Sequence, residues 1–174
     1  MEAHDNYYIE QLIPSEYCLS CKRCCRFAEQ NSAWSPCLLD EEAQNFIDTD
    51  IPAVSLSAQR RLMLNPNPEG EGFICPFLNI QGNKCKIYDI RPFECRLYPF
   101  LISARKKKVL LTVDLNCPYI KENLNNQKLK DYTSYLTTFL NSPALVKLLK
   151  ENPQIIQAYE DILDVVELEL PHET

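Results

Sequence analysis

Four cysteines within eight residues, Cys18, Cys21, Cys24 and Cys25 in the run C-L-S-C-K-R-C-C, constrain this chain more than any other feature. Core packing does not call for thiols at that density, whereas soft metals do. Two intervening residues let a tight turn bring both sulfurs, and the amides between them, to one side of a metal ion. Zinc uses this spacing as the knuckle of a tetrahedral thiolate site. A cubane iron–sulfur cluster uses C-x2-C-x2-C to hold three irons and takes a fourth thiolate from elsewhere. Cys25 points away from its neighbour Cys24, so those two sulfurs more readily serve different sites, or one site and one supporting role.

Five further cysteines follow, Cys37, Cys75, Cys85, Cys95 and Cys117, which makes nine in all. The two histidines, His4 and His172, lie near the ends of the sequence and read as solvated bystanders, so ligation is expected to be all sulfur. A disulfide framework is the competing explanation and belongs to secreted proteins. An odd cysteine count and the adjacent Cys24 and Cys25 fit complete pairing badly. The opening residues Met1 to Asn6 also lack the basic and apolar regions of a secretory signal, so the expected location is the cytoplasm.

Composition narrows the partners. A net charge of −6 argues against a general nucleic-acid binder, and no apolar run approaches the roughly twenty residues of a membrane span. The charge is unevenly spread. Lys84 to Lys108 holds eight basic residues against two acidic, whereas Lys150 to the end holds one basic against seven acidic. The run Arg105-Lys106-Lys107-Lys108 reads as a solvated hairpin turn, with an acidic protein partner as the alternative. Basic residues among the cysteines have a further use: four thiolates on one zinc leave a net formal charge near −2, which arginine donors offset. Arg91 and Arg96 are the candidates for that role.

The elements expected from pattern give an α+β fold, with a small cysteine-rich, metal-centred core of short β-hairpins and short helices under a C-terminal helical cover. The cysteine cluster is expected on loops and turns, with a short strand at Trp34 to Leu38. Asp40 to Ile47 begins with a capping residue and an acidic first turn, the signature of a helix, so Asp40, Glu41 and Glu42 read as helix-start charges rather than catalytic groups. A second helix is expected near Ser57 to Leu64, followed by a loop over Asn65 to Gly72. Phe73 to Asn79 with Lys84 to Tyr88, and Phe100 to Ala104 with Val109 to Asp114, read as two hairpins. Between them, Pro92 opens a short helix with Cys95 in its first turn, where the helix dipole favours a thiolate. Leu129, Tyr132, Leu136, Phe139 and Leu140 follow helical spacing, as do Ile155, Ile156, Tyr159, Ile162, Leu163 and Val166. Ser142-Pro143 and Asn152-Pro153 are cap-plus-proline helix starts. The expected division is a cysteine-cluster domain over residues 1–120 and a helical extension over 121–174 packed on it as one compact body.

Together, Cys18-x2-Cys21-x2-Cys24-Cys25, Cys75-Pro76-Phe77-Leu78, the segment Cys85-Lys86-Ile87-Tyr88-Asp89-Ile90-Arg91-Pro92-Phe93-Glu94-Cys95-Arg96-Leu97-Tyr98-Pro99, and Cys117-Pro118 resemble the YkgJ-type cysteine-cluster family, described as zinc- or iron-chelating. The resemblance implies that Cys18, Cys21, Cys24, Cys25, Cys75, Cys85, Cys95 and Cys117 are the metal-binding positions. It implies an iron–sulfur cluster, 4Fe–4S preferred, with zinc as the alternative. The family often has glycine after the second cysteine, where this chain has Lys22. Cys37 matches no motif position and reads as a small buried hydrophobe. One grouping sets Cys18, Cys21 and Cys24 with Cys117, and Cys25, Cys75, Cys85 and Cys95 as a second set.

Three function classes follow. The first is a metal-binding protein whose closed all-cysteine sites staple the fold, or store or sense metal. The second is an iron–sulfur enzyme related to the flagellin lysine N-methylase, whose cluster the family resemblance implies. Against it, Ala28 stands where a C-x3-C-x2-C radical spacing needs its third cysteine, and Gly70, Gly72 and Gly82 form no G-x-G-x-x-G loop. The third is an electron-transfer or partner-binding module using the basic turn or the acidic tail. Tyr88, Phe93 and Tyr98 read as packing around the metal rather than as substrate contacts.

Overall fold

The computed structural model describes residues 7–48 and 56–170; His4 and His172 lie outside the described residues. The fold is α+β. Six α-helices and eight short strands occur among the described residues, and every pairing between named strands is antiparallel. No described helix is long and apolar enough to cross a membrane. The chain separates into two units, Met1–Arg96 and Leu97–Thr174.

The first unit is built from very short elements. Helix α1, Ser15–Cys21, follows Pro14 and ends at Lys22 in the left-handed conformation, φ 54° and ψ 24°. The first two cysteines therefore lie on a helix rather than on the expected loop. Strand β1, Arg26–Phe27, precedes helix α2, Asp40–Asp48. Strands β2, Asn65–Pro66, and β3, Phe73–Ile74, complete a three-stranded sheet in the order β1-β3-β2. Strands β4, Leu78–Asn79, and β5, Lys84–Cys85, form a hairpin, and helix α3, Phe93–Leu97, follows a 3-10 turn at Tyr88–Ile90. Leu38, Ala43, Phe46, Leu62, Ile74, Cys75, Phe77 and Leu78 form the buried cluster of this unit.

Four expectations here need correction. Ser57 to Leu64 is a tight turn closed by a Leu56 to Leu62 bridge, because the Ser57 hydroxyl accepts the Gln59 and Arg61 N–H groups and so competes with a helix. The long strand at Phe73 to Asn79 breaks at Cys75-Pro76, where the Leu78 N–H donates to the Cys75 carbonyl at 3.0 Å. Part of the Asn65 to Gly72 loop is strand β2, and Trp34 to Leu38 contributes a single Cys37 to Arg61 bridge.

The second unit holds the longer elements. Strands β6, Phe100–Arg105, and β7, Lys108–Asp114, form the expected hairpin across Lys106-Lys107, with Lys106 at φ 57°. Helices α4, Pro118–Asn123, α5, Gln127–Leu140, and α6, Pro143–Glu151, follow. The Tyr132 ring of α5 lies 5.6 Å from that of Phe100 in β6, and Leu136, Leu140 and Leu149 are fully buried. The helices thus cover the sheet of their own unit.

The last element overturns the reading of a third amphipathic helix. After a 3-10 turn at Pro153–Ile155 the chain forms strand β8, Ile162–Glu167, paired to β7. The apolar residues at helical spacing sit in a β-branched segment with an open sheet edge to join. Charge pairs then fix its place: Arg105 to Asp164 at 2.7 Å and Lys108 to Glu167 at 2.5 Å. Two of the four residues of the basic run are therefore matched to acidic residues of the same sheet.

Candidate metal centre

The cysteines of the first unit are delivered by four separate segments. Cys18 and Cys21, three residues apart on α1, share one helix face, and burial followed by the nearness of Cys21 raises the Cys18 thiol. The left-handed Lys22 then turns the chain toward Cys24 and Cys25. Cys25 itself has φ 64°, a conformation rare for residues with a side chain. It leads into β1, whose pairing with β3 brings Cys25 and Cys75 together. The Cys75 N–H donates to the Cys25 carbonyl at 2.9 Å, and the two thiols are hydrogen-bonded to each other.

Cys85 arrives from β5, opposite Leu78 in the hairpin, and packs with Cys25 against the same apolar cluster that contains Cys75. Cys95, in the first turn of α3, lies within the electrostatic reach of Cys25 and Cys85. Cys25, Cys75, Cys85 and Cys95 are thus neighbours, from positions up to seventy residues apart in sequence. Cys18 and Cys24 are exposed, and Cys21 is half-buried. Cys117, buried as the residue before α4, belongs to the second unit. No disulfide joins any of the nine cysteines.

Crowding sets their protonation. The hydrogen bond that the Cys25 S–H donates to Cys75, burial and the charge of that same neighbour push the Cys25 thiol well above its usual range. Burial first, then Cys25, Glu94, Cys85 and Glu42, push the Cys95 thiol well up, which reverses the helix-dipole expectation. Desolvation and four like-charged neighbours outweigh the dipole of a five-residue helix. Such thiols hold their protons until a cation replaces them, and metal binding then releases the protons. Among the described residues no group of three or more His, Cys, Asp or Glu side chains is already closed to metal-holding geometry. The four are neighbours rather than a formed ligand shell.

The surrounding residues fit an anionic group. Arg91 lies in the electrostatic neighbourhood of Cys18, Cys25 and Cys85, where its charge favours the thiolates. Its Nε is buried with no hydrogen-bond partner among the described residues. An orphaned donor beside a set of soft thiol donors is the arrangement that a thiolate-bound metal would satisfy. Arg96, the other arginine expected near the sulfurs, is engaged elsewhere: it pairs with Glu42 at 3.3 Å and donates to the Tyr7 carbonyl at 3.2 Å.

Two holding devices escape a reading by motif. Asn83, at the β4–β5 turn, donates to the Leu19 carbonyl of α1 at 2.6 Å and accepts from Arg26 at 2.8 Å, so it ties the cysteine run to the hairpin carrying Cys85. Its turn position was visible in Gln81-Gly82-Asn83, but its partners were not. Glu42 accepts the Leu39 N–H at 3.0 Å at the start of α2 and the Phe93 N–H at 2.6 Å at the start of α3. It caps the Cys95 helix from fifty residues away. Cys37 is 1% exposed, and its N–H donates to the buried Glu94 carboxylate at 2.6 Å.

These features define a thiol-rich α+β protein in which cysteines from separate segments gather on one small apolar core. The chain belongs to the family described as "CxxCxxCC: Putative zinc- or iron-chelating domain", whose model matches residues 17–118, more than half of the sequence. A curated relative from Methanocaldococcus jannaschii, "Uncharacterized protein MJ0661", is 46% identical over 41 residues, which is 24% of this chain. The matched segment spans 22% of that relative's length. No solved structure matches.

Proposed function

We propose that the protein binds a transition metal through its cysteines, with Cys25, Cys75, Cys85 and Cys95 as one ligand set. The observation that carries the reading is the packing of Cys25 before β1, Cys75 at the Cys75-Pro76 corner and Cys85 of β5 on the core cluster of the first unit, with Cys95 of α3 in the electrostatic reach of Cys25 and Cys85. Four sulfurs suit zinc or iron rather than calcium or magnesium. Cys18, Cys21 and Cys24, from α1 and the turn after it, supply a second group of thiols within the same unit in this reading. The preferred group is a 4Fe–4S cluster, supported by the overlapping C-x2-C-x2-C run; zinc is the alternative. Bound iron–sulfur would supply electron transfer, and bound zinc would cross-link the short elements of the first unit. The chain's own part is to hold the sulfurs, exclude water with Phe77, Leu78 and Ile74, and offset the thiolate charge with Arg91.

The test is metal and sulfide analysis with an absorption spectrum, on protein purified without air and without a metal-affinity step. Brown protein with about four irons and matching sulfide per cluster supports the cubane. Colourless protein with about one or two zinc ions supports the thiolate zinc reading. Protein that holds neither, and takes up neither on reconstitution under reducing conditions, overturns the proposal.

A further inference from the structure

We propose that Arg91 is a positioning residue for the metal centre, donating its Nε–H to a metal-bound thiolate and offsetting the charge of the thiolate set. The inference rests on the metal-binding reading above and assigns a role to a side chain outside the ligand set. Three observations converge on it.

The first is anchoring. Arg91 follows the 3-10 turn Tyr88–Ile90 and lays its guanidinium on the Tyr88 ring, 3.9 Å from the centroid. Stacking fixes the plane of the fork and leaves its edge N–H groups to be directed sideways. The second is an unmet donor. Arg91 Nε is buried and lacks a hydrogen-bond partner among the described residues. Buried arginine donors are almost always satisfied, so an unpaired one whose charge reaches thiols marks a place for an acceptor stronger than a neutral S–H. The third is the neighbourhood. The Arg91 charge acts on Cys18 from α1, Cys25 before β1 and Cys85 from β5, so one cation faces cysteines of three segments.

Arg96 provides the internal contrast. It too has an unpaired buried Nε, but its terminal nitrogens are committed to Glu42 and to the Tyr7 carbonyl. It is not among the charges acting on Cys18, Cys25, Cys85 or Cys95. Arg26 also acts on Cys25 but donates to Asn83 at 2.8 Å, whereas Arg91 reaches cysteines of three segments and is placed to answer a thiolate set that carries net negative charge once metal has displaced the protons.

The experiment is cobalt(II) titration of the reduced, metal-free full chain without oxygen, comparing wild type, Arg91→Met and Arg91→Lys. Cobalt reports ligand geometry in its d–d bands and the sulfur donor energy in its thiolate-to-cobalt charge-transfer band. Arg91→Met is expected to weaken cobalt affinity by roughly ten- to a hundredfold. Its d–d bands should keep their positions, and its charge-transfer band should move to lower energy because the sulfur loses a hydrogen bond. Arg91→Lys, which keeps the charge and lacks the planar fork, should regain part of the affinity. Unchanged affinity and an unshifted charge-transfer band in Arg91→Met overturn the inference. If Arg91→Met proves unfolded by circular dichroism, Arg91→Lys decides: a wild-type band and wild-type affinity there reject the Nε donor. A wild-type chain that takes up no cobalt rejects the metal-binding reading, and this inference with it.

Discussion

Glu42→Ala is expected to destabilise the metal-free protein by about 2–4 kcal/mol, far more than a surface substitution on a helix. Glu42 Oε2 accepts the Leu39 N–H at 3.0 Å, and Oε1 accepts the Phe93 N–H at 2.6 Å. Both donors belong to residues cut off from water, Leu39 at 2% exposure and Phe93 at 0%. A buried donor left without an acceptor loses about 1–3 kcal/mol, and two of them, with partial relaxation, give the range stated. Loss of the Arg96 pair acts in the same direction. Glu42→Gln keeps one carbonyl acceptor and turns an amide NH2 toward the other donor, so about half of the loss should remain. The neighbouring Glu41 is exposed, and Glu41→Ala should change stability by no more than about 0.5 kcal/mol. Urea unfolding of the reduced chain, followed by circular dichroism, reads all three variants. Because α3 carries Cys95, the Ala variant should also bind metal more weakly. A Glu42→Ala protein as stable as Glu41→Ala would refute the idea that one carboxylate holds the starts of two helices.

Two other substitutions bear on the cysteine run and its surroundings. Lys22→Gly should stabilise the protein by about 0.5–1 kcal/mol, since a left-handed residue with a Cβ carries about 1–2 kcal/mol of strain and glycine's extra chain entropy offsets part of the relief; a destabilised variant in the same urea assay contradicts the turn at φ 54°. Cys37→Ser should leave metal stoichiometry unchanged while lowering stability by about 1–2 kcal/mol, because a hydroxyl costs more than a thiol to take out of water and the site is 1% exposed; loss of metal in elemental analysis would move Cys37 into the ligand set.

Local grammar carried much of the fold. The β6–β7 hairpin around Lys106-Lys107, the acidic start of α2, the Pro143 start of α6 and the Pro92 entry to α3 are signals written in a few adjacent residues. Misreadings arose where two local patterns competed. Ser57 turned a helical pattern into a side-chain-closed turn, and Ile162 to Glu167 satisfied both periods until the open edge of β7 chose the strand. Likewise Lys22 in place of glycine leaves the turn itself intact, because the backbone takes the left-handed conformation at an energetic penalty that a sequence pattern cannot price.

For the candidate centre, the sequence by itself determined the donors on offer: nine cysteines at these spacings, with histidine only near the ends, supply soft sulfur rather than imidazole. Tertiary structure decided which thiols are neighbours. The β1–β3 pairing and the β4–β5 turn held by Asn83 bring Cys25, Cys75 and Cys85 to one core, the Glu42 cap holds the start of the Cys95 helix, and Arg91 rather than Arg96 acts electrostatically on these thiols. The physical reason is range. Donor softness and turn preference are properties of a residue and its immediate neighbours, whereas proximity and electrostatic environment depend on contacts between segments tens of residues apart.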